Sequence, residues 1–142
     1  MFNDLIDGIA IKLFDTFGSQ YKIYKENIPQ ELSEPCFVIK LVQPMQTAKL
    51  PNRYLRQHLF DILYFPKSTI KSNEEMLEVA DKMFIEMEYI TVLDNSTRGC
   101  KMHCEIVDNV LHFFVNYDFF VKKEAVEVES MKELTVNSKT EA

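Results

Sequence analysis

The sequence has no tryptophan, three glycines, three cysteines and no excess of positive charge in 142 residues. Each shortage excludes something. Gly8, Gly18 and Gly99 stand too far apart to build a G-x-G-x-x-G turn or a phosphate-cradling loop. Cys36, Cys100 and Cys104 are odd in number and too few for a disulfide framework, which suggests a reducing compartment. A net charge of -6 argues against nucleic-acid binding as the main role, because neutralising phosphates takes a basic surface. No apolar run approaches the roughly 20 residues that a membrane helix needs. The segment from Met1 to Phe14 has Asp4 and Asp7 and no basic start, so it does not read as a secretory signal.

What is present suits an ordinary folded domain. Hydrophobic residues make up 46% and charged ones 27%, and eleven Phe with six Tyr give a phenylalanine-rich interior. A chain of this length can bury about two thirds of its unfolded surface. We expect one domain over residues 1–123. Beyond it, residues 124–142 hold five acids, two lysines, no aromatics and no Gly or Pro, and read as a solvated acidic tail, flexible or helical in part.

Two periodicities alternate along the chain. Leu5, Ile6, Ile9, Leu13 and Phe17 recur at helical steps, with Asn3 as the expected N-cap, Gly18 as the stop, and Gly8 as a point of close packing. Tyr21–Lys25 reads as a short strand and residues 26–34 as a polar loop. Cys36–Gln43 is the next strand, with Phe37, Ile39 and Leu41 on one face and Cys36, Val38 and Val42 on the other. Pro44–Asn52 reads as a connecting loop. Arg53–Phe65 is a strand of about thirteen residues, where five or six is usual; it would reach about 40 Å. Such a strand overhangs a small domain, and an overhang points to assembly. Its part from Leu59 to Phe65 reads as core strand and its part from Arg53 to His58 as outreach.

Ser72, with Glu75 three residues on, predicts a capping box opening a second helix, whose stripe is Met76, Leu77, Ala80, Met83, Phe84 and Met87. Tyr89–Leu93 reads as a strand, residues 94–99 as a turn or loop, and Cys100–Val107 as a strand. Asp108–Asn109 is a two-residue hairpin signal. The last strand alternates cleanly, with Leu111, Phe113, Val115, Tyr117, Phe119 and Val121 on one face. The order α-β-β-β-α-β-β-β predicts an α+β fold, a largely antiparallel sheet with two helices on one face and Lys40, Arg56 and His58 on the exposed one.

Few residues could carry chemistry. Cys100, His103 and Cys104, with His112 on a hairpin partner, are the best metal candidates, but a strand would turn Cys100 and Cys104 away from His103. A core face of Cys100, Met102, Cys104 and Ile106 is the preferred reading. Cys36 or Cys104 with His58 or His112 is a second option, a nucleophile–base pair, and no Gly-rich elbow or oxyanion-hole sequence accompanies it. Asp61 and Asp118 lie in otherwise hydrophobic strands, either as buried acids or as partners of Arg53, Arg56 or a lysine. We expect no catalytic residue, metal or cofactor. Lys49, Arg53 and Arg56 with Tyr54 form a local basic group, read as part of a protein interface because Arg and Tyr are enriched there. Met45 and His58 complete the interface candidates.

Three phrases, Glu34-Pro-Cys-Phe-Val-Ile39, Asn52-Arg-Tyr-Leu-Arg56 and Phe60-Asp-Ile-Leu-Tyr-Phe-Pro66, together with Asn3-Asp-Leu-Ile6, Gly8-Ile9 and Tyr24–Asn27, resemble the tail terminators of prophages and phage-tail-like particles of Gram-positive bacteria. The resemblance spans most of residues 1–121. It implies a mixed α+β fold and a structural protein assembled in the host bacterial cytoplasm. It also implies a ring, usually a hexamer, on the head-proximal end of the tail tube. Such a ring stops tube polymerisation, and sheath polymerisation in contractile tails, and presents a surface to neck or head. The implied partners are copies of itself, the tube protein, a sheath protein and neck or connector proteins. A head–tail connector of similar size is the alternative.

Overall fold

A computed structural model describes residues 2–25, 31, 33–67 and 69–122. The chain divides into two compact units, one of Met1–Met45 with Gln57–Phe119, the other of Gln46–Arg56 with Phe120–Ala142. The described elements are α1 (Phe2–Phe17), β1 (Lys22–Tyr24), β2 (Cys36–Leu50), β3 (Arg53–Phe65), α2 (Ser72–Glu86), β4 (Tyr89–Val92), β5 (Asn95–Val107) and β6 (Val110–Lys122). This is the expected α+β order. The acidic tail beyond residue 122 and most of the 26–34 loop lie outside the described residues.

The six strands form one sheet in the order β1-β2-β3-β6-β5-β4. β1 lies parallel to β2, while β4, β5 and β6 form an antiparallel meander. Gln57 meets Asp118 and Asp61 meets His112. Rising numbers on β3 therefore face falling numbers on β6, so that pair is antiparallel too.

In the larger unit, period-two alternation decides what is buried. Phe37 and Ile39, then Phe60, Ile62 and Tyr64, then Leu111, Phe113, Val115 and Tyr117 point to one side of the sheet. They meet Leu5, Ile9 and Leu13 of α1 and Met76, Val79, Ala80 and Met83 of α2 in a single core, so both helices cover the same face. Burying each large apolar side chain contributes about 1.5–3 kcal/mol. Gly8 explains how closely α1 lies on β4, since a Cβ there would stand 2.7 Å from the Thr91 carbonyl oxygen. Gly18 ends α1 at φ +98, with its N–H donating to the Phe14 carbonyl. Tyr117 donates its hydroxyl to the Met87 carbonyl at 2.6 Å, tying β6 to the end of α2.

Several local expectations are corrected. Asn3 lies inside α1, which begins at Phe2. Ser72 makes no capping box: the N-cap is Lys71, without a side-chain cap. The Ser72 hydroxyl donates instead to Asn109, and Glu75 accepts from the Tyr64 hydroxyl and the Lys67 N–H. Tertiary partners outbid the helix end for both groups. Leu77 and Phe84 are exposed, and Val79 takes the place in the stripe that they were expected to fill. Residues 95–99 are strand, because a turn of only Leu93 and Asp94, both at positive φ, lets Asn95–Arg98 pair with β4. Asp108 and Asn109 do form the hairpin turn, at φ 51 and 61.

The largest correction is the loop expected over Pro44–Asn52. β2 continues through Pro44 to Leu50, and only Pro51 and Asn52 turn. Pro44 is tolerated because β1 covers β2 only at Cys36–Val38, leaving that edge open further on, where a missing N–H costs little.

Candidate assembly interface

The end of the β2–β3 hairpin belongs to the smaller unit. Pro51 presets the first turn position and Asn52 adopts φ 67 at the second, the pattern of a type II turn. Every residue from Gln43 to Arg53 is exposed. Leu50 is 61% exposed, a high value for a leucine in a strand. Lys49, Arg53 and Arg56 supply three cations, and residues 46–56 contain no acid.

The six interface candidates are divided between the two units. Lys49, Arg53, Tyr54 and Arg56 lie in the smaller unit; Met45 and His58 belong to the larger. Along β3, Arg53 points to one side and Tyr54 and Arg56 to the other. Arg53 sits 5.2 Å from the centre of the Phe120 ring, a cation–π contact, and Arg56 Nε donates to Gln46 Oε1 at 2.9 Å. Met45 is half exposed. His58 is corrected: it is 1% exposed, on the helix-covered face, with Nδ1 2.8 Å from the Tyr117 carbonyl oxygen and its ring between Phe2 and Phe119. The passage from outreach to core therefore falls between Arg56 and Gln57, two residues earlier than the sequence suggested. Gln46, Leu50 and Phe120 were not among the six named candidates. For Leu50 the signal was an apolar residue beside Lys49 and a turn proline, which is how an exposed strand end reads.

In the larger unit, two strand edges are open among the described residues. β1 reaches only Val38 of β2, and β4 reaches only Arg98 of β5. Ile39–Met45 and His103–Val107 thus present backbone groups outward, with Lys40 and Glu105 as the charged side chains that discourage indiscriminate pairing.

The cysteine and histidine candidates separate. A register shift between Cys100 and His103, with Lys101 at φ 54, rotates the strand. Cys100 and His103 consequently share the face away from the helices, where Cys100 Sγ donates to Asp118 at 3.5 Å and His103 stacks on Phe114. Cys104 and Met102 pack on the core side instead, and Ile106 is partly exposed. Among the described residues, no group of three His, Cys, Asp or Glu side chains is arranged to hold a metal ion. Burial pushes all three thiols up, Cys36 to about 11, so each is held as a weakly nucleophilic thiol. Asp61 accepts from His112 at 2.9 Å rather than pairing with an arginine, and Asp118 takes Gln57 and Cys100. No helix among the described residues is long and apolar enough to cross a membrane.

No curated protein matches the chain. The family model described as phage tail terminator protein matches residues 4–129. The chain therefore belongs to the phage tail terminator protein family, and is a structural, tail-completion component of the virion tail.

Proposed function

We propose that this protein closes into a ring, a hexamer, that caps the head-proximal end of the tail tube. The ring stops addition of further tube subunits, and of sheath subunits where the tail contracts, and offers its outer surface to neck or connector proteins. The observation that carries this reading is the family match over residues 4–129. The shape of the chain supports it. Closed cyclic assemblies use heterologous contacts, in which one patch of a subunit meets a different patch of the next. The open stretches Ile39–Met45 and His103–Val107 lie on opposite edges of one sheet, the arrangement that β-augmentation between neighbours requires. The exposed hairpin end with Lys49, Arg53, Tyr54 and Arg56 adds a second, side-chain contact.

The test is electron microscopy of particles produced without this protein. Overlong or irregular tails are the expected result. Normal tails that lack heads would instead identify a head–tail connector. A biochemical test follows from the hairpin: deleting residues 45–52 leaves a folded monomer that no longer forms rings by native mass measurement, and rings that persist would overturn the interface assignment.

A further inference from the structure

Charge is unevenly divided. Of the 22 acidic residues, 17 lie in Met1–Met45 and Gln57–Phe119, against nine of the 16 basic ones, a net of -8. Residues 46–56 hold three cations and no acid. A basic element on an acidic protein favours an acidic partner surface, and in a ring the next copy supplies one.

One surface of the larger unit fits. On α2, Glu74, Leu77, Glu78, Asp81 and Ile85 follow one another at three- and four-residue steps and are all exposed, Leu77 at 55% and Ile85 at 72%. Other acids of the helical layer are already engaged: Asp7 with Lys25, Glu86 with Lys12, Glu88 with Arg98, and Glu75 with Tyr64. Glu74, Glu78 and Asp81 have no ion pair among the described residues. Lys82, the base closest in sequence, lies over the Phe17 ring, off this stripe. Leu77 and Ile85, about two turns apart on this stripe, leave aliphatic surface between these acids that a docked partner could cover. The stripe spans about 16 Å at 1.5 Å per residue. The strand Gln46–Leu50 spans about 13 Å.

We propose that the hairpin end of one copy docks on the outer stripe of α2 in the neighbouring copy. Tyr54 and Arg56, which share one side of β3, face the stripe, Arg56 meeting its acids and Tyr54 covering Leu77 and Ile85, while Lys49 and Arg53 add positive charge at the rim. This contact rests on the ring reading and names the partner surface within it. It makes ring closure sensitive to ionic strength, since the pairs form between exposed side chains.

Charge exchange tests it in the full-length chain, with ring content read by native mass spectrometry and folding by circular dichroism. One variant carries Lys49→Glu, Arg53→Glu and Arg56→Glu; the other carries Glu74→Lys, Glu78→Lys and Asp81→Lys. All six positions lie at the surface apart from the half-buried Arg56, so both variants should fold. Each alone is expected to lose about tenfold or more of its ring-forming affinity, because like charges then face each other. Mixing the two, or combining all six changes in one chain, is expected to restore rings. Rings that survive either reversal overturn this contact while leaving the ring itself standing. Loss of rings in both variants without recovery on mixing or combination also overturns it. If the wild type forms no ring at any concentration, the ring reading falls, and this contact with it.

Discussion

Along β3, Phe60, Ile62 and Tyr64 are sealed in the core, while Arg53 is exposed and Tyr54–Arg56 are half-buried. The same regular strand thus passes from one compact unit to the other at Arg56. Backbone geometry does not change there; the neighbours do. In the larger unit each inward side chain meets two helices. In the smaller one the described side chains meet a hairpin partner, the Phe120 ring and solvent. Substitutions in the first region should therefore be read in stability, and substitutions in the second in assembly.

The largest effect is expected at the centre of the core. Phe113→Ala should cost about 3–5 kcal/mol in denaturant unfolding, since the ring is fully buried and lies against Phe84. A loss below about 1 kcal/mol would break the contrast at its stronger end. Gly8→Ala comes next. An exposed helical glycine would gain about 1 kcal/mol from this change. Here the new methyl would press on the Thr91 carbonyl oxygen at 2.7 Å, so a net loss of about 1–3 kcal/mol is expected from the same measurement.

Cys36 sharpens the comparison through pH. Its folded-state pKa is raised from 9.0 to about 11, mainly by burial and then by Glu34. A raised pKa means that the folded state holds the proton more tightly. The resulting stability is present below pH 9 and is lost as pH rises from about 9 to about 11. The difference in unfolding free energy between wild type and Cys36→Ala should shrink over that window. A difference that stays constant from pH 8 to 11 would show that burial does not raise the folded-state pKa of this thiol.

The smallest stability effect belongs to the hairpin. Arg53→Ala should change unfolding by no more than about 0.5 kcal/mol, because its stacking on Phe120 is solvent-exposed. It should nevertheless weaken ring formation in native mass spectrometry. If it destabilises the monomer as much as a core substitution does, the division drawn along β3 is wrong.

Much of the fold was legible in the chain because burial here is periodic. The alternation of Leu111 to Phe119, the length of Arg53–Phe65, the stop at Gly18 and the turn at Asp108–Asn109 are local properties, and each appears where the sequence placed it. Pro44 misled because a proline signals a loop unless the neighbouring edge is open, and no local pattern reports what lies beside a strand. Of the candidate interface, Lys49, Arg53, Tyr54 and Arg56 were proposed from composition, but that Arg53 lies on the opposite side of β3 from Tyr54 and Arg56 required the strand itself.

The sequence by itself determined the order of the elements, their hydrophobic faces and the family, because these rest on near-neighbour chemistry and on short phrases. Tertiary structure alone decided that His58 is core, since its ring is enclosed by Phe2 and Phe119 from distant parts of the chain. It also decided that Ser72 serves Asn109 rather than its own helix, and that a bulge at Lys101 parts Cys100 from Cys104. In each case the outcome depends on a partner far along the chain, whose position is set only when the sheet closes.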